Sequence, residues 1–370
     1  MSDTKPLHWE KLEEDFKKGR SIVLFLGTGV NFGSHGIDFS WDSLINHLLQ
    51  YAISRITRNG EEATASLLID SAKNLIKQEG YKGEKLDNEK KYPILKQQIA
   101  TDALFSRDVK TTIVKQKLGN EMYVDLIRDF LYRHVSKEKL NKSIDDFVYN
   151  HYQREETDDE KKVEFSSLVS ITDLILRNRN IRAVVTQNYD QFLCEALEKM
   201  KKHPHYQPTI NKGKTSVRRD INPSTICDWK GQSKFTYDAF NIYHVHGFIP
   251  RYDEIQAPKD NKIVLSMDEF YEDSRNVYSW QIASQLHFLS QYTCIFCGLS
   301  LDDYTNQRLL HYVRGKHHGN LYYLTAGDAN GKTNDRIKNE FHEKNGLTVL
   351  YDEKGFGHLY NLLKDLQYEY

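Results

Sequence analysis

The segment Ser21-Ile-Val-Leu-Phe-Leu26 is an unbroken apolar run closed at once by glycine. A run this short, with no alternation of apolar and polar residues, is what a strand needs when both of its faces are covered, as in a parallel sheet wrapped by helices. Similar runs recur at Ile181 to Val185, Ile242 to Val245, Thr293 to Phe296, Leu321 to Leu324 and Leu347 to Leu350, most of them followed by a helical pattern. Parallel neighbours can be joined only by long crossovers, so this rhythm predicts a doubly wound α/β sheet.

From 27 to 180 no comparable run occurs, and the periodicity is helical. Trp41, Leu44, Ile45, Leu48 and Leu49 fall at i, i+3, i+4, i+7 and i+8; Met122, Leu126, Phe130 and Leu131 do much the same, and Phe165, Leu168, Thr172, Ile175 and Leu176 close the stretch. The expected organisation is a nucleotide-type α/β domain over 1–54 and 166–370, interrupted by a helical subdomain over 55–165. The charged run Glu155 to Lys162 has no apolar face and reads as a solvated connection. No internal repeat is visible.

Several broad classes are disfavoured by composition. The 51 Lys+Arg and 52 Asp+Glu of the 370 residues nearly cancel, which removes any global attraction to nucleic acid or an anionic membrane. Lys199 to Arg219 is locally basic, but no aromatic stacking platform accompanies it, so it reads as a solvated loop and nucleic acid is not expected to bind directly. Four cysteines, two of them in Cys294-Ile-Phe-Cys297, do not make a secreted disulfide framework. The first twenty residues are charged, and no run reaches the ~18 apolar residues of a membrane span, so a soluble, cytoplasmic protein is expected.

The polar residues that could do chemistry stand just after the apolar runs. Gly27-Thr28-Gly29-Val30-Asn31, with Gly33 and Gly36 beyond, occupies the place where the βα turn of a Rossmann-like unit approaches phosphate; the same glycines would also serve a plain tight turn. Thr186-Gln187-Asn188-Tyr189-Asp190 puts short polar side chains at the carboxyl end of a strand, where open α/β sheets bind ligands, although Asn188 or Asp190 could instead cap the next helix. In Asn241-Ile-Tyr-His244-Val-His246-Gly247 the two histidines lie at i and i+2, which in a strand is one face. They could be zinc ligands, buried structural histidines or a general base, and zinc ranks last because no third ligand has suitable spacing. Gly298-Leu-Ser300-Leu-Asp302-Asp303 repeats the strand, glycine, helix pattern, with Ser300 and Asp303 in capping-box spacing.

Taken in order, Gly27-Thr28-Gly29-Val30, Thr186-Gln187-Asn188-x-Asp190, His246-Gly247 and Gly298-x-Ser300 resemble the sirtuin family. Ile263 to Tyr271 and Gly298 to Asp303 look still more like the divergent bacterial sirtuin-like proteins of anti-phage defence. The resemblance implies an enzyme that consumes NAD. Gly27, Thr28, Gly29 and Val30 would face the diphosphate, and Gln187, Asn188 and Asp190 the nicotinamide-side ribose and its pocket. His246 would be the catalytic histidine, with Gly298 and Ser300 facing the adenosine ribose. Gly36-Ile-Asp38-Phe39 is similar to the loop that covers nicotinamide, so Asp38 joins the set, but the usual proline is missing and Ser40 stands where arginine is expected.

True sirtuins also carry two Cys-x-x-Cys pairs on a zinc module. Here Cys194 and Cys227 are isolated, and Cys294 and Cys297 fall within an expected strand. No structural zinc is therefore expected, and without the module the reaction expected is hydrolysis of NAD to nicotinamide and ADP-ribose. A sirtuin-type deacylase or ADP-ribosyl transferase, and a non-catalytic NAD or ADP-ribose sensor, are the alternatives. The defence-type resemblance further implies a homo-oligomer with a separately encoded partner, a hexameric ATPase or a nucleotide-processing enzyme, and no membrane association.

Overall fold

The structure, a computed structural model, describes residues 5–31, 41–58, 110–111, 114–115, 118, 120–154, 161–207, 221–227, 239–251, 262–265, 269, 275, 279–301, 304–327 and 332–367. In chain order these form α1 (Trp9–Lys17), β1 (Ile22–Leu26), α2 (Trp41–Arg58), α3 (Asn120–His134), α4 (Lys137–Tyr152), α5 (Ser166–Arg177), β2 (Ile181–Thr186), α6 (Phe192–Lys201), β3 (Asn222–Ile226) and β4 (Ala239–His244). There follow α7 (Trp280–Gln291), β5 (Thr293–Cys297), α8 (Tyr304–Val313), β6 (Leu321–Ala326), α9 (Lys332–Lys344), β7 (Thr348–Asp352) and α10 (Phe356–Asn361).

The seven strands make one parallel sheet in the order β3-β4-β2-β1-β5-β6-β7, so the fold is the doubly wound, Rossmann-like α/β architecture read from the sequence. Its central strands are its most apolar. Every residue of β1 (IVLFL) and β5 (TCIFC) is buried, as double coverage demands. β3 (NPSTI) escaped the sequence reading because it is polar and carries Pro223. It lies at the edge, the one place in a sheet where a residue without an N–H is tolerated.

Two compact units can be distinguished, Met1–Ile37, Val135–Ile263 and Asp273–Tyr370 forming one, Asp38–His134 and Val264–Glu272 the other. The helix α4, grouped with the insertion in the sequence reading, thus lies in the first unit, where it contacts α5 and α6. Within the second unit α2 buries Leu44, Ile45, Leu48 and Leu49, the stripe expected of it. The other helical stripe is rotated from expectation: Met122 of α3 is 41% exposed, and the buried face is Tyr123, Ile127, Phe130 and Leu131, which also fits i, i+4, i+7 and i+8.

α5 is no amphipathic surface helix either, for Ser167 through Arg177 are all buried. Its charges satisfy one another. Asp173 Oδ1 accepts from the hydroxyls of Tyr152 and Tyr206, both at 2.8 Å, and Oδ2 from Arg177 Nε at 2.7 Å. The Arg177 guanidinium then donates to the carbonyls of Leu363, Lys364 and Leu366, tying the C-terminal turn to the helix. Removing one partner of such a pair leaves a buried charge unanswered, the costly way to break it.

Candidate functional site

Strand register brings the loops together. Leu26 pairs with Thr186 on one side and Cys297 on the other, Thr186 with His244, and Cys297 with Leu324, so β1, β2, β4 and β5 finish on one line and β6 runs two residues past it. The turns after them carry every site residue expected from the sequence except Asp38, which lies outside the described residues together with Gly33, Gly36, Ser40 and Asp303. Polar groups clustered at this edge are where a doubly wound sheet presents a ligand site.

After β1 the chain makes a short 3-10 turn, Thr28–Asn31, lying directly on the turn after β5. The Gly27 N–H donates to the Cys297 carbonyl at 3.0 Å, the Gly29 N–H to the Gly298 carbonyl at 2.9 Å and the Val30 N–H to the Gly27 carbonyl at 3.2 Å. A Cβ on Gly27 would stand 2.4 Å from the Gly298 carbonyl oxygen, and one on Gly298, whose φ is +63°, 2.4 Å from the Val30 nitrogen. These glycines are therefore required where backbone meets backbone, and those three amides are engaged within the protein rather than held for a phosphate. Val30 is buried in the core.

Between these two turns and the end of β6 opens a cavity of about 480 Å³. Thr28, Gly29, Gly298 and Ser300 line it, joined by Tyr323, Lys338, His342 and Phe356, none of which the sequence reading singled out. Phe356 was findable in principle, being 48% exposed, but an exposed aromatic has no signature in one sequence until the fold places it at a cavity. The α8 helix begins at Tyr304, so Ser300 stands ahead of the capping position expected for it, and its carbonyl instead accepts from Asn306 at 3.4 Å.

The turn after β2 is held from three directions. Asn188 Nδ2 donates to the Gly27 carbonyl at 3.2 Å, the Asn188 N–H donates to Thr186 Oγ1 at 3.0 Å, and the Asn188 carbonyl accepts from His244 Nδ1 at 2.9 Å. Its Oδ1, by contrast, is buried with no hydrogen-bond partner. Gln187 donates across to Asn306 Oδ1 at 2.8 Å, linking this turn to the first turn of α8. Gln191, not Asp190, stands at the cap of the next helix, but Asp190 Oδ1 accepts from the Phe192 N–H at 3.0 Å and its Oδ2 from Asn31 at 2.8 Å. Burial pushes the Asp190 carboxyl up to about 6, against the pull of those two bonds. Asn31, at the end of the glycine turn, is the residue sequence reasoning passed over here.

The two histidines separate. β4 ends at His244, and His246 lies beyond it in a turn, so strand alternation does not set its direction as expected. His244 is buried against Phe248, its Nδ1–H committed to Asn188, and burial pushes it down to about 4, leaving a neutral ring. His246 is half-buried beside Gly247, whose φ is +98° and on which a Cβ would stand 2.5 Å from the Lys262 carbonyl oxygen.

Residues 182–350 match the family model of a SIR2-like domain. The match supports a sirtuin-like family and implies that NAD is involved in what the chain does. It runs from β2 into β7, and the glycine turn outside it is inserted between the SIR2-like strands by the pairing of β1 with β2 and β5. No curated protein matches the chain significantly. Cys294 and Cys297 lie in β5, their thiols raised by burial and so far from the thiolate form that binds zinc. Among the described residues no group of His, Cys, Asp and Glu is placed to hold a metal ion, and no helix is long and apolar enough to cross a membrane.

Proposed function

We propose that the chain is an NAD hydrolase, cleaving the nicotinamide–ribose bond with water to give nicotinamide and ADP-ribose. The observation that carries this reading is Asn188: its nitrogen is fixed by the Gly27 carbonyl, and its Oδ1 is buried without a protein partner. An orphaned buried acceptor costs about 1–3 kcal/mol unless something donates to it. A water or a ribose hydroxyl is such a donor, and an amide accepts from it without adding charge beside a developing oxocarbenium ion. His246 takes the proton as water attacks. Nicotinamide leaves carrying the bond's electron pair, which neutralises its ring, so no acid is needed for departure. His244 holds the Asn188 backbone in place through its Nδ1–H.

The cavity between the turns after β1 and β5 suits the remainder of the dinucleotide, with Thr28 on the diphosphate, since the Gly29 N–H is taken by the Gly298 carbonyl, and with Gly298 and Ser300 on the adenosine ribose. The resemblance to defence-type proteins supplies the setting, depletion of NAD in an infected cell, and a homo-oligomer working with a separately encoded ATPase or nucleotide-processing partner. The test is incubation of the purified chain with NAD, followed by assay of nicotinamide and ADP-ribose. Asn188→Ala and His246→Ala should each lower turnover by ~10²- to 10⁴-fold with the fold intact. Wild-type turnover in either variant removes that residue from the mechanism, and transfer of ADP-ribose to a protein with no free ADP-ribose overturns hydrolysis itself.

A further inference from the structure

A second cavity, of about 310 Å³, lies under α7 near the amino ends of β2 and β4 and shares no lining residue with the first. Asn241 stands three residues before the end of β4, about 10 Å along the strand from the carboxyl edge. Asn241 and Tyr243, two apart on one strand face, both line the cavity, and both are almost wholly buried. The Asn241 side chain lies near the Tyr243 hydroxyl, and Asn241 Oδ1 is buried with no hydrogen-bond partner. Burial pushes the hydroxyl up to about 12, so it stays a donor at ordinary pH. What the wall presents is an acceptor next to a donor.

The other walls are aromatic. Phe288 and Tyr292 pack edge to face at 5.6 Å and His287 lies 5.8 Å from Tyr292, so the lining offers a cluster of rings for a flat ligand to pack against. Arg182 brings a cation to the lining from an exposed position, and the volume falls within the range of small-ligand pockets. We propose that this is a second binding site, taking a nucleotide whose base carries an amino group beside a ring nitrogen, as adenine and cytosine do. The amino N–H donates to Asn241 Oδ1, the ring nitrogen accepts from Tyr243, the ring lies among the aromatics, and the phosphate meets Arg182.

The site is independent of the NAD reading. Its test is binding of AMP and of CMP to the purified full chain by titration calorimetry, with ribose 5-phosphate and inorganic phosphate as controls. One of the two nucleotides binds and the controls do not. Tyr243→Phe, which keeps the ring and loses only the donor, weakens binding about 3- to 10-fold, and Asn241→Leu weakens it at least as much. Absence of binding by both nucleotides, equal binding by ribose 5-phosphate, or an affinity indifferent to Tyr243→Phe overturns the proposal.

Discussion

Asp190 and His244 sit at the same sheet edge, and burial acts on them in opposite senses. Between its ordinary 3.8 and about 6, folded Asp190 holds a proton that the unfolded chain has released, so this group makes stability fall as pH rises. Between about 4 and its ordinary 6.5, folded His244 excludes a proton that the unfolded chain holds, so this group makes stability rise with pH. The two slopes offset each other, and the wild-type contribution from this edge should be nearly flat from pH 4 to 6. Asp190→Asn should uncover the histidine: its stability falls on acidification from pH 6.5 to 4.5 by about 2 kcal/mol more than the wild type's. Urea midpoints at the two values decide it, and parallel profiles for wild type and variant would show that the two groups are not in balance.

At the scale of elements, the turns after β1 and β5 interlock through glycine. Gly298 and Gly346 both have positive φ, +63° and +92°, but a Cβ on the first strikes Val30, whereas nothing lies within 4 Å of a Cβ on the second. Gly298→Ala should therefore cost appreciably more than Gly346→Ala, whose loss is backbone strain alone, about 1–3 kcal/mol. Equal shifts in melting temperature would mean that the close approach contributes nothing. Much of this scale was legible beforehand. Six of the seven strands announce themselves as apolar runs, the clearest being β1 and β5, buried on both faces, and even the edge strand β7 keeps a buried apolar middle. β3 does not, since an edge strand is free to be polar, and α5 does not read as buried all round because its Asp173 and Arg177 are partnered only in three dimensions. The residues at the sheet edge were legible as a set, yet their hydrogen bonds were not. Nothing in the spacing of Gly27 and Asn188 foretells that one carbonyl fixes one amide, and the pairing of Asn31 with Asp190 spans 159 positions.

For the molecule as a whole, an unrestrained NAD hydrolase would be toxic to the cell that makes it, so activity is expected to depend on assembly or on a partner. An equilibrium of this kind sets the fraction of competent enzyme rather than its chemistry. Specific activity per chain should then fall on dilution and recover with the partner, with mass in solution measured alongside. Full activity in a dilute monomer would sink the idea.

The strand order also has a consequence in time. β1 is flanked by β2 and β5, so the shortest stretch that contains the middle of the sheet runs from Ile22 to Cys297. A ribosome adding ~5–20 residues per second needs roughly ten seconds to a minute to cover that distance. β2 is made part-way through, but until Cys297 is reached the most apolar strand of the chain lacks at least one of its two neighbours. The centre of this sheet is therefore a late product of synthesis, closed only when β5 has been made.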